Sequence, residues 1–256
     1  MHKQDYTTII KHAKNSESES KLNSMIKLAQ SEAGIAVNIK DLDANSYLFN
    51  CTDATIDLKT GKVLTHAKEH LITKISGINY IPDATCPLWI NFLNKIMNGN
   101  SEMIEFLQRT VGYSLTGDAS EQCMFILQGN GANGKSTFIE TLKSLFGDYA
   151  KVADPRTFLV NQSNGIRNDL ARLCGVRFVS SSEADEGSKL SESIIKQFTG
   201  SDTIAARFLH KEFFEFQPVC KIFLATNYKP IINGEYAIWR RIRLIPFKRP
   251  LRNSKF

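Results

Sequence analysis

No run of apolar residues approaches the roughly 18 needed to cross a bilayer, so a membrane span is not expected. The amino end, Met1-His2-Lys3-Gln4-Asp5-Tyr6, leads into polar sequence and lacks the apolar stretch of a secretory signal, so the chain is expected to stay where it is made. Cysteine is scarce: Cys51, Cys86, Cys123, Cys174 and Cys220 are odd in number and widely spaced, without a C-x-x-C pair. That excludes a disulfide framework and a thiolate zinc site, and fits a reducing compartment. His66 and His70 stand four apart but have no third ligand near them in sequence, which reads as a solvated helix face. Fifteen glycines and seven prolines are too few for a collagen-like or low-complexity chain. What is present, 42% apolar and 23% charged residues over 256 positions, is the composition of one or two globular domains.

The net charge of +6 is unevenly spread. Residues 1–120 carry 12 basic and 13 acidic side chains, residues 121–239 carry 13 of each, and residues 240–256 carry seven basic and none acidic. The whole excess lies in the last seventeen residues. A terminal basic run can touch a phosphate backbone or simply be solvated, so charge alone does not decide for nucleic acid.

The front of the chain is mixed. Leu22, Met25, Ile26, Leu28 and Ala29 recur at helical spacing after a polar patch at 15–20. Residues 47–50 and 54–58 read as short strands, closed by a turn at 59–62, and two amphipathic helices are expected over 88–97 and 103–111. From Cys123 the pattern changes. Apolar strands at 123–127, 176–179 and 219–225 alternate with helices near 135–146 and 190–198. Such alternation predicts an α/β layered domain with a mostly parallel sheet, its ligands beyond the carboxyl ends of the strands. The expected organisation is a smaller α+β/helical domain over 1–115, the α/β domain over 116–247 and a basic tail over 248–256.

Directly after the first of those strands stands Gly129-Asn130-Gly131-Ala132-Asn133-Gly134-Lys135-Ser136-Thr137, a complete G-x-x-x-x-G-K-[ST] phosphate loop opening into a helix. Glycines let several backbone N–H groups converge on one phosphate group, and the helix start adds partial positive charge. Lys135 is expected to neutralise the β- and γ-phosphates of ATP, and the Ser136 hydroxyl to ligate Mg²⁺. The second strand runs through a serine triplet to Glu183-Ala184-Asp185-Glu186, where a Mg²⁺ ligand or water-activating base is needed. Glu183 is the first candidate and Asp185 the second. The third strand ends in Asn227, whose carboxamide could hold an attacking water against the γ-phosphate. Arg240 and Arg241 have the chemistry to spread transition-state charge in a neighbouring subunit.

The order of these residues resembles superfamily 3 helicases. It runs from the phosphate loop through Val-x-Phe-Val-x-x-x-Glu at 176–183 and Lys196-to-Arg207 to Ala225-Thr226-Asn227-Tyr228-Lys229-Pro230 and Trp239-Arg240-Arg241. Within that superfamily the chain is most similar to the phage and plasmid primase-helicase group, related to poxvirus primase-helicases, over about residues 40–247. The resemblance implies an AAA+ P-loop NTPase that assembles as a ring, usually hexameric, with ATP and Mg²⁺ between subunits. By position Lys135 and Ser136 match the nucleotide and metal residues, Glu183 the acidic strand-end residue, Asn227 the γ-phosphate sensor, and Arg240 or Arg241 a finger supplied in trans. It also implies a pore hairpin, here Phe208-Leu209-His210-Lys211-Glu212-Phe213-Phe214, with His210 and Lys211 touching single-stranded DNA. The implied task is ATP-dependent helicase movement in replication of a phage, virus or mobile element, in the host cytoplasm, with primase and other replication proteins as partners.

Two departures accompany the likeness. Family members continue past Ile245-Pro246-Phe247 into a helical or winged-helix end, so the chain is read as a fragment or truncated frame. There is no room for a catalytic primase domain, and the lone Asp41-Leu42-Asp43 reads as surface. Rival readings of the same loop are a P-loop small-molecule kinase and a non-unwinding module that binds ATP and DNA.

Overall fold

The computed structural model describes residues 3–160, 167–182, 186–200, 202–233 and 236–251. Contacts divide the chain into two compact units, Met1–Ala44 and Asn45–Phe256. In the first, helices α1 (Lys3–Ser16) and α2 (Glu19–Ala29) follow each other, as the periodicity around Leu22 and Met25 implies. No residue of α2 is buried, and Ile9, Ile10, Met25 and Ile26 remain more than half exposed.

The second unit opens with a three-stranded antiparallel sheet of β1 (Leu48–Asn50), β2 (Thr55–Asp57) and β3 (Lys62–Leu64). Its second turn is fixed by Asp57, whose carboxylate accepts from Lys59 N at 2.9 Å and Thr60 Oγ1 at 2.6 Å. Gly61 completes that turn at φ +74°. The sheet is followed by α3 (Pro87–Ile96), which starts on proline, where a missing N–H costs nothing, and by α4 (Ser101–Leu115). The Asn100 side chain caps α4 by accepting from Met103 N at 3.0 Å.

The expected α/β sheet follows. Its strands are β4 (Met124–Gln128), β5 (Ala150–Val152), β6 (Phe178–Ser182), β9 (Lys221–Thr226) and β10 (Ile242–Pro246), in the order β10-β4-β9-β6-β5 and all parallel. Helices α5 (Lys135–Phe146), α6 (Asn168–Ala171), α7 (Glu192–Thr199) and α8 (Tyr236–Trp239) lie between strands in sequence. A two-stranded antiparallel hairpin, β7 (Ile204–Ala206) with β8 (Phe214–Phe216), is inserted before β9. All six residues of β9 are buried, as expected of a strand covered on both faces.

Alternation along the strands sorts the side chains into two cores. Phe125, Leu127, Phe178, Phe223, Ala225 and Ile245 face Phe138, Leu142 and Phe146 of α5 and the α3–α4 pair. Met124, Ile126, Val179, Ile222 and Leu224 face Ile195 and Phe198 of α7 with Leu170, Leu173 and Ile238. In the first core the rings of Phe125, Phe223, Phe178 and Phe146 form a chain with successive centroids 4.8, 4.7 and 5.0 Å apart. Truncating any one of them to alanine is expected to cost about 3–5 kcal/mol.

That first core runs unbroken from Phe49 through Phe92 and Leu107 to Phe125 and Phe247, so packing is continuous across residue 115. Two buried basic side chains reinforce the joint. Arg177 donates to Leu115 O at 2.7 Å and Leu48 O at 2.8 Å, and Lys221 Nζ donates to Thr116 O at 2.5 Å. Residues 248–251, expected as part of a basic tail, run back along the loop after β4, with Leu251 against the first core. Among the described residues no helix is long and apolar enough to cross a membrane.

Candidate functional site

The polypeptide leaves β4 at Gln128 and re-enters regular structure at Lys135, the first residue of α5. The turn needs glycine at two places for different reasons. Gly134 has φ +90°, and a Cβ there would lie 2.6 Å from Ile96 Cγ2. Gly129 is a close approach, because an added Cβ would lie 2.1 Å from the Phe247 carbonyl oxygen. The first N–H groups of α5 have no partner within the helix, so they and the positive end of the helix face the loop.

Lys135 is buried at the base of this loop. Its ammonium donates to the Gly129 carbonyl, to Asn133 Oδ1 at 3.2 Å and to Asn227 Oδ1 at 3.3 Å. Those partners are neutral oxygens, and burial lowers the Lys135 pKa. A desolvated cation with neutral neighbours is placed to receive an anion. Asn227 stands just past β9, next to the loop because β4 and β9 pair in register, Gln128 opposite Thr226. Its carbonyl accepts from Gln128 Nε2 at 3.1 Å, and Thr226 Oγ1 donates to Tyr228 O at 2.7 Å, fixing the bend that follows.

Loop and strand ends enclose a cavity of about 600 Å³. It is lined by residues 131–137, including the Ser136 and Thr137 side of α5, by Ala225 to Tyr228 and by Ser182 and Glu186. The structure thus brings together Lys135, Ser136 and Asn227 as the sequence implied. Glu183 and Asp185 lie outside the described residues. Their described neighbours Ser182, the last residue of β6, and Glu186 both line the cavity.

Arg240 and Arg241 are not brought to this cavity in their own chain. They precede β10, whose Ile242 pairs with Met124 at the start of β4, while the loop leaves from Gln128 at the other end. The two ends of this five-residue strand lie about 13 Å apart. Arg240 donates to Gln122 Oε1 at 2.7 Å and Arg241 to Ala237 O at 2.6 Å. Partial burial, then the neighbouring Arg240, lowers the Arg241 pKa.

His210 and Lys211 sit, exposed, in the connection between β7 and β8, His210 with φ +60° and Lys211 N bonded to Phe208 O at 3.0 Å. Aromatic contacts stiffen the base of this connection. The Phe208 and Phe214 rings stack at 5.7 Å, and the Arg207 guanidinium lies 4.6 Å from the Phe213 ring centroid.

Two contributors, Gln128 and the backbone of Phe247, carry no motif signal, and the loop motif marks Asn133 as a phosphate-loop position without showing what its side chain holds. Its buried side chain in fact links Lys135 to Phe247 O, at 2.9 Å from Nδ2. The apolar and β-branched residues of Ile242-Arg243-Leu244-Ile245 are the available hint that a fifth strand delivers Phe247 to the loop.

Comparisons with known proteins bear on the chain's relatives and its fold. Residues 2–98 match the family described as D5 N terminal like, and residues 127–241 match a family of unknown function, DUF5906. Protein L207/L206 of Acanthamoeba polyphaga mimivirus, which bears a provisional helicase name, is 34% identical over 216 residues, covering 82% of this chain and 22% of its own length. Primase D5 of Fowlpox virus is 27% identical over 203 residues, 74% of this chain and 25% of that protein. The chain therefore spans about a quarter or less of either relative. Among solved structures, the C-terminal region of NrS-1 superposes with a TM-score of 0.56 at 14% identity, over 68% of this chain and 40% of that one, a likeness of fold. Relatives, the amino-terminal family match and the order of the motifs converge on one likeness: over the matched residues the chain is similar to the primase-helicases of the D5 type.

Proposed function

We propose that residues 116–247 form a P-loop NTPase of the AAA+ kind, the ATP-driven motor of a viral or mobile-element DNA helicase used in replication. The observation that carries this reading is the convergence of Lys135, Ser136 and Asn227 on one cavity of about 600 Å³ at the carboxyl ends of β4 and β9. That volume lies within the usual range of roughly 300–1,000 Å³ for small-molecule sites. The donors suit a triphosphate: the loop and the start of α5 offer N–H groups, Lys135 a desolvated ammonium, and Ser136 a hydroxyl for Mg²⁺. Bound Mg²⁺ would supply neutralisation of the phosphate oxygens.

On this reading Lys135 holds the β- and γ-phosphates, and Asn227 orients the attacking water through its carboxamide. Glu183, or Asp185 after it, serves as base or metal ligand next to Ser182. The third contribution comes from another copy. Arg240 and Arg241 lie at the far end of the sheet from their own loop, which suits a ring in which they reach a neighbour's cavity. The β7–β8 connection, with His210 and Lys211, is the element that grips single-stranded DNA. The smaller amino-terminal part, the ring of six and the primase partner follow from the family alone.

The test is steady-state ATPase across protein concentration, with and without single-stranded DNA. Turnover per chain should rise steeply with concentration and again with DNA, since an arginine in trans contributes about 10³ to 10⁵ in rate. A strictly monomeric chain turning over at full rate would refute the shared-site motor.

A further inference from the structure

We propose that Asn133 is a positioning residue of the nucleotide site. It holds the Lys135 ammonium from behind the loop and ties it to a strap, Phe247–Leu251, that follows β10. This rests on the reading of the loop as a triphosphate site.

The Asn133 side chain is buried, and its amide is engaged at both ends. Oδ1 accepts from Lys135 Nζ at 3.2 Å, and Nδ2 donates to Phe247 O at 2.9 Å. The Phe247 N–H in turn donates to Gln128 O at 2.7 Å, so the two backbone polar groups of Phe247 clip the entry and the far side of the loop. Four residues on, Leu251 N donates to Ala132 O at 2.6 Å. The strap is anchored outside the loop as well. The Phe247 ring meets Phe138 of α5 edge-on at 6.0 Å, and the Arg249 guanidinium reaches Lys95 O at 3.5 Å and Asn98 Oδ1 at 3.4 Å at the end of α3. The fit is tight enough that a Cβ at Gly129 would lie 2.3 Å from Asn133 Nδ2.

A lysine on a flexible stem loses rotamer freedom when it grips a phosphate, and one held beforehand loses less. With its oxygen on Lys135 and its nitrogen on the strap, Asn133 makes the lysine's position depend on where Phe247 sits. Its contribution is to ground-state binding of ATP, expressed in KM more than in kcat.

The test uses the 256-residue chain, with Mg-ATP binding by calorimetry, steady-state ATPase, thermal melting, and the rate of tryptic cutting after Lys248. Asn133→Ala should raise both Kd and KM for ATP about tenfold, a shift of about 1.4 kcal/mol, with kcat changed less than about threefold. Cutting at Lys248 should quicken as the strap loosens. Leu251→Pro removes the N–H given to Ala132 O without entering the cavity, and should raise Kd about threefold. A folded Asn133→Ala with unchanged Kd and KM, or with kcat lowered and KM unchanged, overturns the proposal. Should Asn133→Ala not fold, an unchanged Kd in Leu251→Pro overturns it. A wild-type chain that does not bind ATP removes the triphosphate reading and this inference together, whereas binding that neither variant alters removes this inference alone.

Discussion

Lys135 Nζ lies 3.3 Å from Asn227 Oδ1, although 92 positions separate them in the chain. The parallel register of β4 with β9, Gln128 opposite Thr226, makes the two residues emerge side by side from the same edge of the sheet. A cation and a carboxamide held at that spacing can touch the same terminal phosphate from two directions.

The pair should separate binding from turnover. Lys135→Ala should abolish measurable Mg-ATP binding. Asn227→Ala should leave Kd within about threefold while lowering kcat by 10²-fold or more, as loss of one oriented transition-state group does. Calorimetry beside steady-state ATPase measures both, and equal loss of binding in the two variants would deny Asn227 a role in orienting water.

Arg240 and Arg241 should act on a neighbour. Lys135→Ala subunits and Arg240→Ala, Arg241→Ala subunits should each be inactive alone, yet an equimolar mixture should recover up to about a quarter of wild-type ATPase through interfaces with both halves intact. No recovery at any mixing ratio would place the arginines outside the active site.

The connection between β7 and β8 should carry a phosphate-backbone contact. Lys211→Ala should weaken single-stranded DNA binding and reduce the slope of log K against log salt by about 0.7, and His210→Ala should weaken binding by a smaller factor. Fluorescence anisotropy over a salt series measures the slope, and an unchanged slope for Lys211→Ala rules out the ionic contact.

Lys221 should give the fold a pH dependence. Burial pulls its pKa down from 10.5 to about 7 in the folded chain. Between these values the unfolded chain binds the extra proton, so stability should rise as pH increases from about 7 to 9. Above that range Cys220, pushed up to about 12 by burial, works in the opposite direction. Urea unfolding at pH 7, 8 and 9 should show the rise in the wild type and a flatter profile in Lys221→Met. The same slope in both would assign the effect to other groups.

Much of the α/β unit was legible because its signals are local. The apolar run before Gly129 and the helical spacing after Lys135 fix β4 and α5 to within a residue, since a strand buried on both faces admits hardly any polar side chain. β6 extends to Ser182, three residues beyond the apolar stretch that announced it, because serine can be buried in a parallel strand whose backbone is paired. β5 and β3, of three residues each with exposed or half-exposed side chains, carry no pattern to read. β10 was obscured by arginine at 240, 241 and 243, which mark it as a basic run before they mark it as a strand.

The division near residue 115 looked natural because periodicity switches there from helix to strand. Packing follows a different rule. Phe49, Phe92 and Leu107 bury themselves against the same sheet face as Phe125, and Arg177 and Lys221 bond the carbonyls on either side of the switch.

The sequence by itself determined the glycine loop, the lysine at its end and the helix that follows, because each depends on backbone freedom and side-chain type within about ten residues. Only the tertiary structure decided that Asn227 stands beside Lys135, that Arg240 and Arg241 stand at the opposite end of the sheet, and that Phe247 to Leu251 brace the loop from behind. Those relationships depend on strand order and register, which arise when distant apolar segments are buried against each other and leave no trace in local spacing.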